Sequence, residues 1–277
     1  MTDSTNKYTA ILRGVTVCLM LGCFAAKVST DCYMYLFLLA AGCDFYRRSR
    51  ETDDLTKLIS REILGLYIRY WPVLIMAMLI SFALKMPRAE HFVADSIYCF
   101  LGLRFTCCAE WYFLPAFVLV LASAPPLLRL ADGKEPPLFL TVLFLVLFSV
   151  FTYYSLPIIM STRLFYELGA SLLWNGLYTA AKLIPAFVVG CLLVSCGVLQ
   201  KIEEKIKIPA WLEKGFGYLG NRWLSVWLIG SFLSDLLQKS IFASFPAAVM
   251  FVLLLAVSTL CAGLLEAVER KLLAKLR

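Results

Sequence analysis

The chain has a single histidine, His91, with Glu90 beside it and Asp95 four residues on. Imidazole titrates near neutrality, so His91, paired with either carboxylate, is the first candidate for a general base. It falls in a short loop between apolar stretches, where an exposed histidine without a catalytic role is the plainer reading. Asp44, Arg69, Arg104, Glu110, Glu167, Lys182 and Asp235 stand within or beside apolar runs. Charge at hydrocarbon depth is costly, which makes each a candidate functional group. Snorkelling is the plain account of Asp44 and Arg69, and Arg104 and Glu110 are spaced to pair with each other. Trp111 and Tyr112, next to Glu110, read either as interfacial anchors or, with Glu110 and Asp235, as the lining of a substrate pocket.

Ten cysteines are present, most of them inside apolar runs (Cys18, Cys23, Cys43, Cys191, Cys196, Cys261). There cysteine behaves as a small hydrophobe. Cys107 and Cys108 are adjacent, no CxxC pair occurs, and one histidine cannot complete a zinc or haem pattern, so no metal is expected. Neither a P-loop nor GxGxxG, GxSxG or HExxH is found.

The elements that must carry these residues are set by hydropathy. Of 277 residues, 61% are hydrophobic and 16% charged, against about 45–50% and about 25% in soluble domains. An all-α, polytopic membrane bundle follows, a single domain over 1–277, because no polar stretch is long enough to fold outside a bilayer. A crossing takes about 20 apolar residues. Eight segments qualify: 11–26, 32–46, 67–84, 111–130, 138–157, 179–199, 223–238 and 245–266. The shorter pieces 92–107 and 164–178 are interfacial, re-entrant or short spans, giving eight to ten crossings. The first is expected to be a retained span and not a cleaved signal, although "CFAAKVST" faintly resembles a cleavage site. The polar stretch 47–61 is expected to be a loop.

Lysine and arginine gather on the cytoplasmic side of short loops. With the N-terminus inside, 19 of the 26 basic residues fall on that side, so both termini are expected in the cytoplasm. The net charge of +7 is then chiefly a topology signal. Its further use would be to attract anionic lipid headgroups or a phosphate-bearing cofactor. Without an RNA-binding motif or interleaved aromatics, nucleic acid is not an expected partner.

Several segments, in order, resemble the acyltransferase-3 family of bacterial membrane O-acyltransferases. "ILRGVTVCLMLGCF" matches its opening Arg-Gly pair at Arg13-Gly14. "YLFLLAAGCDFYRRS" is similar to its aromatic second span, with Ala41-Gly42 at the Ser-Gly. "ISREILGLYIRYWPVLIM" resembles the loop entering the third span, with Arg69 three residues before Pro72 and Arg61 as the earlier basic residue. "EWYFLPAFVLVLASAPPLL" and "LIPAFVVGCLLVSCGVLQ" are similar to middle spans. "LGNRWLSVWLIGSF" places Gly220, Trp227, Leu228 and Ile229 in register with a late span, and "LLEAVERKLLAKLR" resembles the closing one.

The resemblance implies acyl, typically acetyl, transfer from cytoplasmic acyl-CoA to a hydroxyl of an envelope glycan or lipid-linked sugar in a bacterial cytoplasmic membrane. Arg13, Arg61 and Arg69 would then contact the CoA phosphates. The chain departs from the family where its histidines would stand: position 24 is Phe24 and position 230 is Gly230. That leaves His91 as the catalytic candidate. It also raises a rival reading, a non-catalytic relative of the same fold acting in polysaccharide export or assembly, or as a small-molecule carrier. An unrelated transporter is disfavoured, because no Gly/Pro-broken helix pair recurs in matching halves.

Overall fold

A computed structural model describes residues 7–28, 32–86, 89–103, 108–132, 137–162, 172–206, 208–238 and 245–275. In chain order the helices are α1 (Lys7–Ala26), α2 (Cys32–Arg50), α3 (Leu55–Ala83), α4 (Ala89–Phe100), α5 (Phe113–Ala122), α6 (Ala124–Ala131), α7 (Leu138–Val150) and α8 (Leu156–Met160). They continue as α9 (Leu172–Ser195), α10 (Val198–Lys205), α11 (Ala210–Asn221), α12 (Trp223–Gln238) and α13 (Ala247–Lys275). A 3-10 turn, Ala109–Tyr112, leads into α5, and a π-helical turn, Phe151–Ser155, joins α7 to α8. The described residues contain no strand.

Among the described residues, five helices are long and apolar enough to cross a membrane: Lys7–Ala26, Leu55–Ala83, Leu138–Ile159, Gly176–Ser195 and Ala247–Ala267. A sixth is obtained if the segment from Glu110 to Ala131 counts as one span, although it bends by 63°. The expected unbroken span 111–130 is thus corrected. Pro125 and Pro126 each lack an N–H for the preceding turn, so the helix breaks at Ser123 and restarts.

Three further expectations change. The stretch 47–61 is mostly helix: α2 runs to Arg50 and α3 begins at Leu55. His91 lies in α4 and not in a loop, because Ala-Glu-His-Phe-Val-Ala-Asp offers helix formers with no Gly or Pro to stop them. That helix, which overlaps the short piece 92–107, has 12 residues, about 18 Å, too short to cross a layer of about 30 Å by itself; 104–107 lie outside the described residues. Residues 172–178 of the other short piece continue directly into α9, and 163–171 lie outside the described residues.

Glycine sets the closest helix packing. A Cβ on Gly42 would strike the backbone carbonyl of Phe187, and one on Gly190 that of Leu39. Across this α2–α9 crossing Cys43 Sγ lies 3.2 Å from the Gly190 carbonyl and Cys191 Sγ 3.4 Å from that of Gly42. The α1–α11 contact repeats the device. Gly14 meets the Phe216 carbonyl and Gly220 the Ala10 carbonyl. Without a hydrophobic force between helices in lipid, small residues that bring backbones together supply the packing. Outside the eight apolar segments, α11 packs along α1 through these contacts, and just before it Tyr8 donates its hydroxyl hydrogen bond to the Ile206 carbonyl at 2.8 Å.

Aromatic residues on α3 fasten α4. Tyr70 donates to the Cys99 carbonyl at 2.7 Å, Trp71 Nε1 to Phe100 at 2.9 Å and Tyr67 to Leu101 at 2.9 Å. These carbonyls lie in or just past the last turn of α4, where intrahelical partners run out, and that of Cys99 also accepts the Gly102 N–H at 3.0 Å. Trp71 is therefore a helix-capping donor. Gly102, at φ +68°, ends the turn.

Asp54 starts α3. Its carboxylate accepts the Lys57 backbone N–H at 3.0 Å, and that bond holds its pKa below the usual carboxylate value. A depressed folded pKa makes the contribution complete above the unfolded value, about 3.9, and lost as pH falls through the folded one. The expected result is that hydrogen-exchange protection of the Lys57 amide, corrected for intrinsic rates, holds down to about pH 3.9 and drops as pH falls further, through the lowered Asp54 pKa. Asp54→Asn, which caps but does not titrate, should flatten that dependence.

Candidate functional site

Arg13, Arg61 and Arg69 converge. Together with Arg48 they line one cavity of about 650 Å³ between α1, α2, α3, α5, α12 and the end of α13. Helical spacing explains the convergence. On α3, Arg61, Gly65 and Arg69 follow one another at i, i+4 and i+8 and form a single stripe. A Cβ on Gly65 would meet nothing within 4 Å, so the space between the two arginines is open. On α2, Ala41, Phe45 and Arg48 form the matching stripe. Phe45, Phe117, Leu121 and Trp223 supply an apolar wall.

The arginines differ in how they are held. Arg13 Nη2 lies 2.8 Å from Asp44 Oδ2, both side chains nearly buried at 12% and 5% exposure. Thr9 Oγ1 donates to the other carboxylate oxygen at 2.6 Å, and the Arg13 guanidinium sits 6.0 Å from the Trp223 ring. Arg48 grips Glu62 with both nitrogens, at 2.5 and 3.2 Å. Arg222 pairs with Glu266 at the rim. Arg61 and Arg69 have no carboxylate partner among the described residues. Two guanidiniums without partners, eight residues or about 12 Å apart on one helix face, present fixed forks of donors to an anion.

The first turns of α1 and the end of α13 reach the same cavity, through Arg13 and Glu266. The first half of α1 and the last third of α13 therefore approach one end of the bundle. That end also carries the Arg47–Glu203 pair at 2.7 Å and the Arg50–Asp132 pair, with Tyr46 donating to Asp132 at 2.9 Å.

The residues expected to line a substrate pocket do not join this cavity. Trp111 is fully buried, its Nε1 donating to Ser231 Oγ at 2.9 Å and its ring 5.6 Å from that of Tyr70. Glu110 accepts from the Tyr33 hydroxyl at 3.1 Å. Tyr112 donates to Met34 Sδ at 3.5 Å, and Asp235 lies half-buried on α12, one turn beyond Ser231. Between them and the cavity stand Phe113 against Trp227 and Phe117 against Trp223, with ring centroids 5.4 and 5.9 Å apart. The side chains of His91 and Glu90, and all of Arg104 and Glu167, lie outside the described residues.

At the two positions where the family's histidines would stand, the chain is closed by packing. A Cβ on Gly230 would meet Leu21 and Ser258, and Phe24 packs edge-on against Tyr33 at 6.1 Å. The sequence reading missed Arg48, Glu62, Trp223 and Glu266. Arg48 was in principle within reach, since it continues the helical stripe of Ala41 and Phe45, but α2 was ended too early to see it. No protein-family model, curated protein or solved structure matches the chain.

Proposed function

We propose that the chain is a multi-pass protein of a bacterial cytoplasmic membrane whose arginine cavity binds acyl-CoA through its phosphates, in the manner of an acyltransferase-3 scaffold. The observation that carries this reading is the pair Arg61 and Arg69, two cations that share a cavity with Arg13 and have no carboxylate partner among the described residues. The shape of the ligand agrees with the cavity: a phosphate-rich end for the arginines and an aromatic wall at Trp223 and Phe45 for a flat base. In this frame α2 and α12, shorter than the other spans, also cross. Eight crossings put both termini on one side, and the basic residues gathered there favour the cytoplasm, where acyl-CoA is found, for that side and for the cavity.

The reaction would move an acyl group from the CoA sulfur to a hydroxyl of an envelope glycan or lipid-linked sugar. The C–S bond breaks, a C–O bond forms, and the hydroxyl proton must leave. A positioned base is worth about 10²–10⁴-fold in such a step. Phe24 and Gly230 cannot take that proton, and this observation favours a second reading: a non-catalytic relative that binds acyl-CoA or another phosphate-bearing ligand in polysaccharide export or assembly. Acyl transfer by purified protein, together with the O-acetyl content of surface polysaccharide in a deletion strain, separates the two. Transfer and a loss of acetyl groups on deletion support the enzyme; binding without transfer and unchanged acetylation support the relative.

A further inference from the structure

Lys182 lies inside the apolar span Gly176–Ser195, far from the arginine cavity. Its surroundings place it in the other half of the bundle. Its ammonium nitrogen is 4.2 Å from the centroid of Tyr178 and 5.4 Å from that of Tyr153. The Tyr153 hydroxyl meets that of Tyr35 on α2. Tyr35 precedes Arg48 by 13 residues on that helix, about 20 Å of rise.

A lysine at membrane depth is expensive and marks a pathway or a ligand unless it is paired. Among the described residues no carboxylate pairs with Lys182. Two aromatic faces stabilise the cation but accept none of the strong hydrogen bonds that an ammonium can donate. Tyr153 is delivered by the π-helical turn Phe151–Ser155, a local irregularity that recurs at functional sites. This turn rotates Tyr153 toward α9 while Tyr154 stays 71% exposed. Leading up to it, α7 turns a long apolar stripe outward, Phe139, Leu143, Val146, Leu147 and Val150 among it.

We infer that Lys182, Tyr153 and Tyr178 form a binding site for a membrane lipid that carries a phosphate diester, with the phosphate on the ammonium and the acyl chains along the outward face of α7. The charge selects the headgroup, since a choline-bearing zwitterion offsets its own phosphate. The exposed stripe selects a ligand with hydrocarbon, which a soluble anion lacks. The site is independent of acyl-CoA binding.

The test replaces Tyr154 with a photo-crosslinking benzoyl-phenylalanine in protein reconstituted into nanodiscs. The nanodiscs contain either phosphatidylcholine alone or phosphatidylcholine with phosphatidylglycerol of the same chains. The expected result is a crosslink to phosphatidylglycerol that falls roughly tenfold in Lys182→Gln, is retained in Lys182→Arg, and is unchanged by excess inorganic phosphate. Thermal melts of each variant report folding separately. Equal crosslinking in Lys182→Gln, or equal capture of phosphatidylcholine, would overturn the proposal. Loss of the crosslink on adding inorganic phosphate would also overturn it, by making this a site for small anions.

Discussion

Replacing Arg13 with methionine is expected to destabilise the protein by about 3–5 kcal/mol, because it leaves the Asp44 carboxylate buried beside a cation that is gone. Asp44 is 4% exposed, and its remaining partner, the Thr9 hydroxyl, is neutral. The loss comes from the orphaned charge and not from the pair's own attraction, so a second change should reverse most of it. In Arg13→Met/Asp44→Asn the amide oxygen still accepts from Thr9 and no charge remains to be desolvated. A thermodynamic cycle on detergent-solubilised protein checks this. The single variant should melt well below wild type and the double variant close to it. Equal melting of single and double variants would show that Asp44 is not buried against Arg13.

The second large effect is steric. Gly42→Leu sets a side chain where the Phe187 carbonyl already sits. Overpacking typically costs about 1–3 kcal/mol when side chains can yield. Here the obstacle is backbone of a neighbouring helix, so the cost is expected at or above the top of that range, with loss of the α2–α9 contact. Gly22→Ala is the control, since nothing lies within 4 Å of an added Cβ there, and a helical alanine should be neutral or slightly stabilising. Aggregation or a sharply lowered melting point for Gly42→Leu, beside normal behaviour of Gly22→Ala, is the expected pattern. A monodisperse Gly42→Leu with wild-type melting would contradict the close crossing.

Two kinds of signal in the sequence carried different amounts of this structure. Apolar runs located the helices well, and 223–238 coincides with α12. Runs alone end a helix where polarity begins, however, and here helices continue into charged segments. That is why apolar runs predict boundaries at 46 and 67, whereas α2 continues to Arg50 and α3 begins at Leu55, leaving a short connection between them. The amphipathic α11 escaped for the same reason: "AWLEKGFGYLG" has neither the length nor the hydropathy of a span, and its place is set by backbone contact with α1 at Gly14 and Gly220.

The motif glycines were legible as positions and not as causes. Gly14, Gly42, Gly190 and Gly220 entered as points of resemblance, and the structure gives each of them a packing role. Among the site residues, Arg61 and Arg69 entered through the resemblance, and that they share one face follows only from α3 beginning at Leu55, where a loop was expected. The stretch from Glu110 to Tyr112 was legible as polar and aromatic, but whether Trp111 opens to a pocket or fills the core is decided by α3 and α12, which sequence spacing does not reach. Lys182 stood out as an intramembrane charge, yet its aromatic surroundings depend on a π-helical turn that no local pattern announces.

The central claim is that Arg61 and Arg69 face an anion that acyl-CoA supplies. Calorimetric titration of detergent-purified protein with acetyl-CoA tests it most directly, alongside acetyl-pantetheine, which lacks the phosphates. The account predicts that wild type binds acetyl-CoA and not acetyl-pantetheine. Arg61→Ala and Arg69→Ala should each weaken binding roughly tenfold, as expected for a charge-assisted hydrogen bond lost to a phosphate, with melting temperatures unchanged. A folded wild type that does not bind acetyl-CoA, or an Arg61→Ala/Arg69→Ala protein that binds it as tightly as wild type, would contradict the account.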